Sequence, residues 1–296
     1  SNADVVLKVE PPSSRDSDEP AKLSIIGEPI AGDWKWHGAV LAPNGKIYAV
    51  PCNSPRVLCI DPATDEVYMV GREVPGKNKW YGGLLGSDGC IYGIPNAATT
   101  VFRFNPETEE VTLLGSLSDD IGKWHGGVIG PDGCIYGFPA HADSVLKIDP
   151  STGSVHTFGG PIPAGEYRPN GKYKYGGGCV GEDGCIYAFP SDADKVLRIH
   201  PDTEEVESLE SPFLACHNKW QNGFSGRDGC IYAIPCHAPH VLRIEPRTGK
   251  VSYLGGPWKG YEKWEGGVVG NDGILYCMPQ HAKFVLKVDP AAAPRR

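Results

Sequence analysis

One segment recurs along this chain and leaves little freedom in what the chain can become. Residues 123–150, KWHGGVIGPDGCIYGFPAHADSVLKIDP, have near-copies starting at Lys35, Lys79, Lys174, Lys219 and Lys263, each with Trp or Tyr next. The steps between starts are 44, 44, 51, 45 and 44 residues. Each copy reads as four short strands, which in the third copy are A (Trp124 to Gly130), B (Cys134 to Phe138), C (Val145 to Ile148) and D (Val155 to Phe158). Apolar alternation marks the runs, and Asp-Gly or Asp-Pro pairs part them.

Such a unit cannot bury both faces alone, but stacked copies can. A fixed period in the forties built of short strands predicts an all-β chain, a six-bladed β-propeller of four-stranded antiparallel blades. The expected organisation is a tag remnant and extension over 1–21, one propeller over 22–290 and a short tail over 291–296. With 40% hydrophobic and 22% charged residues, the composition is that of a globular domain rather than a disordered one. The 39 Gly and 27 Pro fall mostly at equivalent positions in each copy and so read as turns.

Counting strand types exposes a question about the ends. There are six A, six B and six D segments but seven of type C, because Val6-Leu7-Lys8-Val9-Glu10-Pro11 matches Val285-Leu286-Lys287-Val288-Asp289-Pro290. The last copy stops after its C segment. Lys22 to Gly27 is of type D, and the expectation is that it pairs with the last copy as its outer strand and closes the ring. The C-terminal segment is placed inside that blade, and Val5 to Val9 becomes the surplus one.

The turns explain the commonest repeated residues. Asn44-Gly45, Asp88-Gly89, Asp132-Gly133, Asp183-Gly184, Asp228-Gly229 and Asp272-Gly273 suit tight A–B hairpins, because these pairs tolerate positive φ. Tyr48, Tyr92, Tyr136, Tyr187, Tyr232 and Tyr276, with the Trp or Tyr of strand A, are expected to pack between sheets. Cys90, Cys134, Cys185 and Cys230 share one repeat position, too far apart to bridge, and are read as small buried apolar residues. Ten cysteines without a disulfide pattern point to a reducing compartment, and the expected location is cytoplasmic. The net charge of −8 argues against nucleic acid or an anionic membrane surface as a partner. A monomer is expected, with a protein or a small molecule as its partner.

Sequence variety concentrates on the face carrying the D–A and B–C connections, where function is expected. The residue after the strand A aromatic changes from copy to copy: His37, Tyr81, His125, Gly176, Gln221 and Glu265. Two residues after the Pro that ends strand B stand Asn53, Ala97, His141, Asp192, His237 and His281. The long D–A loop of residues 159–173 adds Arg168, the loop of 255–262 adds Trp258, and 211–218 adds Phe213 and His217. The ligand-binding candidates are therefore His37, Tyr81, His125, Gln221, Glu265, His141, Asp192, His237, His281, Arg168 and Trp258. Histidine beside carboxylate suits acid–base work, metal ligation or a solvated rim equally, and no local metal motif decides. No cofactor is expected, with a divalent metal at the mouth as the alternative. The six repeated lysines are either a ring for an anion or structural, laid over their own aromatics or paired with a carboxylate of their own blade, and the structural reading is favoured because every copy carries one.

The pattern K-W-x-G-G-x-x-G-x-D-G-x-I-Y-x-x-P with V-L-x-I-D-P-x-T resembles repeats in propeller proteins of unassigned function, over residues 22–290. It is more distantly similar to NHL-type interaction modules and to lactonase, gluconolactonase-like (SMP-30) and strictosidine-synthase-like propellers. None of their functional motifs maps onto this sequence residue by residue. Close similarity among the copies favours a non-enzymatic binding scaffold, since the breaks of the Trp-x-Gly-Gly frame, at Tyr175-Gly176 and Gln221-Asn222, are mild. The alternative is a hydrolase or lyase using His37, His125 and Glu265.

Overall fold

The structure is a computed structural model and describes residues 2–12, 14 and 18–292. Ser1 and the tail from 293 onward lie outside the described residues. The chain divides into two compact units, one running to Asp119 and one starting at Asp120. Each is a stack of antiparallel sheets, and the described residues hold no helix beyond one short 3-10 turn, Pro290–Ala292.

The first unit holds a two-stranded hairpin, Val6–Glu10 with Lys22–Ile26, and the sheets of repeats one and two, each in the order A-B-C-D. The second unit holds repeats three, four and five as four-stranded sheets, and repeat six as three strands. Strand limits match the sequence reading to within a residue: repeat three runs Trp124–Ile129, Ile135–Pro139, Val145–Asp149 and Ser154–Phe158.

One pairing differs from expectation. Lys22–Ile26 pairs with Val6–Glu10 and not with the last repeat, whose sheet ends at Leu286–Val288. The reason is local. Val6–Glu10 is itself a C-type strand, so the D-type strand meets its usual partner in an ordinary C–D pair, Val6 opposite Ile26 through Glu10 opposite Lys22. The C-terminal segment does continue its own sheet, with Leu275 opposite Val288.

The repeated residues are tied together by repeated bonds. In the five Asp-Gly A–B turns the Asp accepts the backbone N–H two residues on with one oxygen, as Asp132 does from Cys134 at 3.1 Å. Its other oxygen accepts the strand B tyrosine hydroxyl: Tyr136 at 2.8 Å, Tyr187 at 2.8 Å, Tyr232 and Tyr276 at 2.7 Å. The tyrosines are therefore buried with their polar end satisfied. The strand A indole donates to a carbonyl twenty residues on, as Trp124 does to Ser144 at 2.8 Å and Trp264 to Phe284 at 2.9 Å.

The repeated lysines are buried in every copy. Lys79 donates to the carbonyls of Cys52 and Ser54 in the preceding repeat, both at 2.9 Å, and to Gly76 at 3.0 Å. Lys263 reaches back to Cys236 at 2.9 Å in the same way. At these two positions the lysine clips its repeat to the preceding one through backbone carbonyls, while Lys174 pairs with the Asp143 carboxylate at 2.5 Å. Burial pushes Lys79 down to about 8, and Lys219 and Lys263 in the same direction.

Candidate functional site

Each strand A carries a register shift just after its aromatic, for example between Trp124 and Gly127 opposite Pro139 and Gly137. A bulge there swings the next side chain away from the regular pleat. In the first unit this brings His37 and Tyr81 face to face, with ring centroids 4.4 Å apart and planes 2° from parallel. The close approach of the two strands needs glycine: a Cβ on Gly38 would lie 2.8 Å from the Gly83 nitrogen.

The second unit uses the same bulge differently. Gly176 and Gln221 occupy the position, and Tyr175 replaces the indole. With no side chain at 176, a cavity of ≈ 300 Å³ opens, lined by residues that include His125, Arg168, Asp192, His217, Asn218 and His237. Tyr173, Tyr175, Gly176, Ser191 and Gln221 complete its wall.

Asp192 organises the wall. It is only 2% exposed, accepts the Asn218 backbone N–H at 2.7 Å and pairs with the Arg168 guanidinium at 3.0 Å. The first bond is generic, since Asn53 accepts from the Asn78 backbone at 2.7 Å in the first unit. Both asparagines take a left-handed backbone, φ 51° at Asn78 and 50° at Asn218, which the acceptor helps to fix. The ion pair is specific to the fourth repeat, because its long D–A loop brings Arg168 over the carboxylate.

Three histidines face this space. Burial lowers the pKa of His125, against a hydrogen bond to the Gly176 carbonyl that works the other way. Donating one ring N–H to that carbonyl fixes the tautomer of the neutral ring. Burial also lowers His237, and the neighbouring His217 adds to the effect. These two rings meet edge to face at 4.9 Å. The His237 Nε2 lies 3.3 Å from the Asn218 side-chain amide nitrogen, and its Nδ1 is buried with no hydrogen-bond partner among the described residues. Gln221 donates to the Asn218 side-chain oxygen, which orients that amide.

Of the residues picked from the sequence, the structure gathers His125, Arg168, Asp192, Gln221 and His237 in this cavity. It does not bring the others there. His37 and Tyr81 stack on each other in the first unit. His141 packs edge-on against Tyr173 at 4.7 Å and bonds the Ile121 carbonyl at 3.0 Å. His281 sits in an exposed pair with Glu262 at 3.4 Å. Trp258 packs edge-on against Trp264 at 5.6 Å, and Glu265 is exposed, its backbone carbonyl accepting from Asn222 at 2.9 Å. Asn218, Tyr175 and Ser191 were not singled out, although the broken frame at Tyr175-Gly176 and Gln221-Asn222 marked the right repeats. Among the described residues no three of His, Cys, Asp or Glu converge in a way that would hold a metal ion. None of the ten cysteines is in a disulfide. No helix of the described residues is long and apolar enough to cross a membrane.

No protein-family model matches the sequence, and no curated protein matches it. Solved structures do. Virginiamycin B lyase from Staphylococcus aureus matches with a TM-score of 0.67 at 14% identity, over 87% of this chain and 85% of the lyase. A streptogramin B lyase matches with 0.67 at 16% identity, over 96% and 86%. A catalytically inactive His→Ala variant of the S. aureus lyase, solved with quinupristin, matches with 0.67 at 14%, over 96% and 88%. An extracellular domain of a one-component system protein from B. thetaiotaomicron also matches, with a TM-score of 0.63 at 10% identity, over 94% of this chain and 37% of its own. Likeness at such identities is likeness of fold. The binding-scaffold expectation is nevertheless corrected by it, since these lyases are enzymes and fit the lyase alternative better. By its repeated four-stranded sheets and these neighbours, the chain is a propeller-type repeat protein similar in fold to the streptogramin B lyases.

Proposed function

We propose that this chain is a six-bladed propeller lyase acting on a small carbonyl- or carboxylate-bearing molecule held in the cavity of repeats four and five. One observation carries the reading. Repeats four and five break the strand A frame at Tyr175-Gly176 and Gln221-Asn222, and the cavity they line collects an Arg–Asp pair and three histidines. In the proposed reaction His125 is the general base. Burial favours its neutral form, and the ring nitrogen that does not bond Gly176 takes the proton from the carbon next to the carbonyl. Arg168, aimed by Asp192, binds the carbonyl or carboxylate oxygen and stabilises the charge that builds there. The carbon–oxygen or carbon–nitrogen bond one carbon further then breaks, and His217 supplies the proton to the leaving atom. The repeated lysines take no part, because backbone carbonyls already hold them.

The lyases of similar fold support elimination over hydrolysis, and the loss of activity in a His→Ala variant of one of them supports a histidine in the central role. The test is product mass after incubation with quinupristin and with small β-acyloxy carbonyl compounds. Elimination gives products whose summed mass equals that of the substrate. A gain of one water would make the protein a hydrolase and overturn the proposed chemistry.

A further inference from the structure

We propose that Cys185 is a reactive thiol, activated by His200 with Glu207 behind it, and that small hydroperoxides oxidise it to a sulfenic acid. The group stands apart from the cavity, at the other end of strand Ile186–Pro190 from Ser191 and Asp192. Ile186 lies opposite Ile199, so Cys185 and His200 meet where the B–C ladder of repeat four ends. On the next ladder Arg198 lies opposite Glu207. The Cys185 Sγ is 3.4 Å from His200 Nδ1, and His200 Nε2 is 3.0 Å from Glu207 Oε1. An ionised carboxylate accepts and does not donate, so Nε2 carries the ring proton and Nδ1 is the acceptor that faces the thiol. Arg198 pairs with the same Glu207 oxygen at 3.4 Å and with Asp183 at 2.9 Å. A nucleophile, a base and a third group that orients the base are the parts of an activated nucleophile.

The equivalent cysteines supply the contrast. Fifteen residues after Cys90, Cys134 and Cys230 stand Asn105, Asp149 and Glu245, and of the four Cys185 alone has a histidine there. An amide takes no proton, and a carboxylate, with a pKa of about 4, is too weak a base for a thiol. Exposure does not favour Cys185 either. It is 6% exposed, Cys230 is 7% exposed, and Cys134 is more open than both. A preference for Cys185 would therefore come from its partners.

Burial raises the Cys185 thiol, while hydrogen bonding from Arg198 works the other way. The thiol rests protonated, and the histidine makes the thiolate as it attacks. His200 Nδ1 takes the thiol proton, the sulfur bonds to the terminal oxygen of the hydroperoxide, and the O–O bond breaks. Sulfur gives up two electrons and the hydroperoxide takes them. The departing oxygen receives the proton from His200 and leaves as water or an alcohol, and Cys185 is left as the sulfenic acid.

The test treats the 296-residue chain with hydrogen peroxide in the presence of dimedone, which traps sulfenic acids, and maps the adducts by peptide mass. Wild type is run beside His200→Asn, which copies Asn105 of repeat two, and Glu207→Gln, at an exposed side chain, with melting curves to check folding. The expected result is labelling of Cys185 roughly 10²-fold faster than of Cys90, Cys134 and Cys230, the weight of a general base. His200→Asn should bring Cys185 to the level of the other three, and Glu207→Gln should fall between. Should His200→Asn melt low, Glu207→Gln decides by itself. Labelling of Cys134 as fast as Cys185, a Cys185 that stays unlabelled in the folded chain, or a Cys185 rate unchanged in either folded variant would each overturn the proposal.

Discussion

The bulge of strand A is built into the first and second units alike, yet it closes one surface and opens another. In repeats one and two it carries His37 and Tyr81, which stack and fill the space between their strands. In repeats four and five it carries Gly176 and Gln221, and the space stays empty enough for a ligand. The same backbone device gives a sealed seam or a cavity, depending on the side chain it re-aims. A repeat protein can therefore acquire a site by subtraction, provided a neighbouring loop supplies the chemistry. Here the loop of residues 159–173, the longest D–A connection, supplies Arg168.

The largest expected effect comes from removing the base. His125→Ala should lower kcat/KM by roughly 10²–10⁴-fold, the usual weight of general acid–base catalysis. Steady-state kinetics beside a melting curve checks it, and a fall below tenfold would remove His125 from the central role. Next comes refilling the cavity. Gly176 has an ordinary backbone, and a Cβ there would lie 3.6 Å from Gln221, a normal contact. Gly176→His, imitating repeat one, should keep the fold and cost roughly 10²-fold in rate by displacing the substrate. Retained turnover in that variant would mean that the empty position is incidental.

Lys79→Met tests the clip between repeats rather than the site. It strands the carbonyl of buried Ser54, since Cys52 keeps the Lys79 backbone N–H and Gly76 is exposed, and should cost about 1–3 kcal/mol in denaturant unfolding. Smaller still is the pH effect. Burial lowers His125, His141 and His237, so below their ordinary value of about 6.5 the unfolded chain takes up protons that the folded chain refuses. Stability is therefore full above that pH and declines as pH falls through the range beneath it. His141→Gln should flatten part of that slope, as melting temperatures between pH 7 and pH 5 would show. Smallest is Asp192→Asn, which keeps an acceptor for the Asn218 backbone but loses the charge facing Arg168. Because Arg168 is nearly half exposed, the loss should be about 0.2–1 kcal/mol, seen as a higher KM.

Much of this was legible before any coordinates. Turn pairs such as Asp132-Gly133 and alternation in segments such as Ile135–Pro139 put strand limits within a residue, because hairpin geometry is a local property. The rim positions supplied His125 and Gln221, because a bulge repeated in every copy re-aims the same position each time, and Asp192 and His237, because each strand B ends at the same Pro before its loop. Asn218 was missed for a physical reason. It precedes the repeated lysine, where the structure shows a left-handed backbone held by Asp192, and neither the dihedral nor its acceptor is written in the local sequence. The lysine clip escaped because its partners are carbonyls, which every residue has. The partner of Lys22–Ile26 was misassigned because two C-type segments fit it almost equally, and sequence alone does not rank them. The divergence of Tyr175-Gly176 and Gln221-Asn222 was read as mild, although deletion of one side chain is what makes room.

The most direct test of this account sets two equivalent histidines against each other. His37 and His125 occupy the same repeat position, the first in the sealed seam and the second in the cavity. Turnover of quinupristin, the compound bound by the inactive lyase of similar fold, would be followed by product mass for the wild type, His37→Ala and His125→Ala. The account predicts activity in the wild type and in His37→Ala and its loss in His125→Ala. Activity that survives in His125→Ala and disappears in His37→Ala would contradict it.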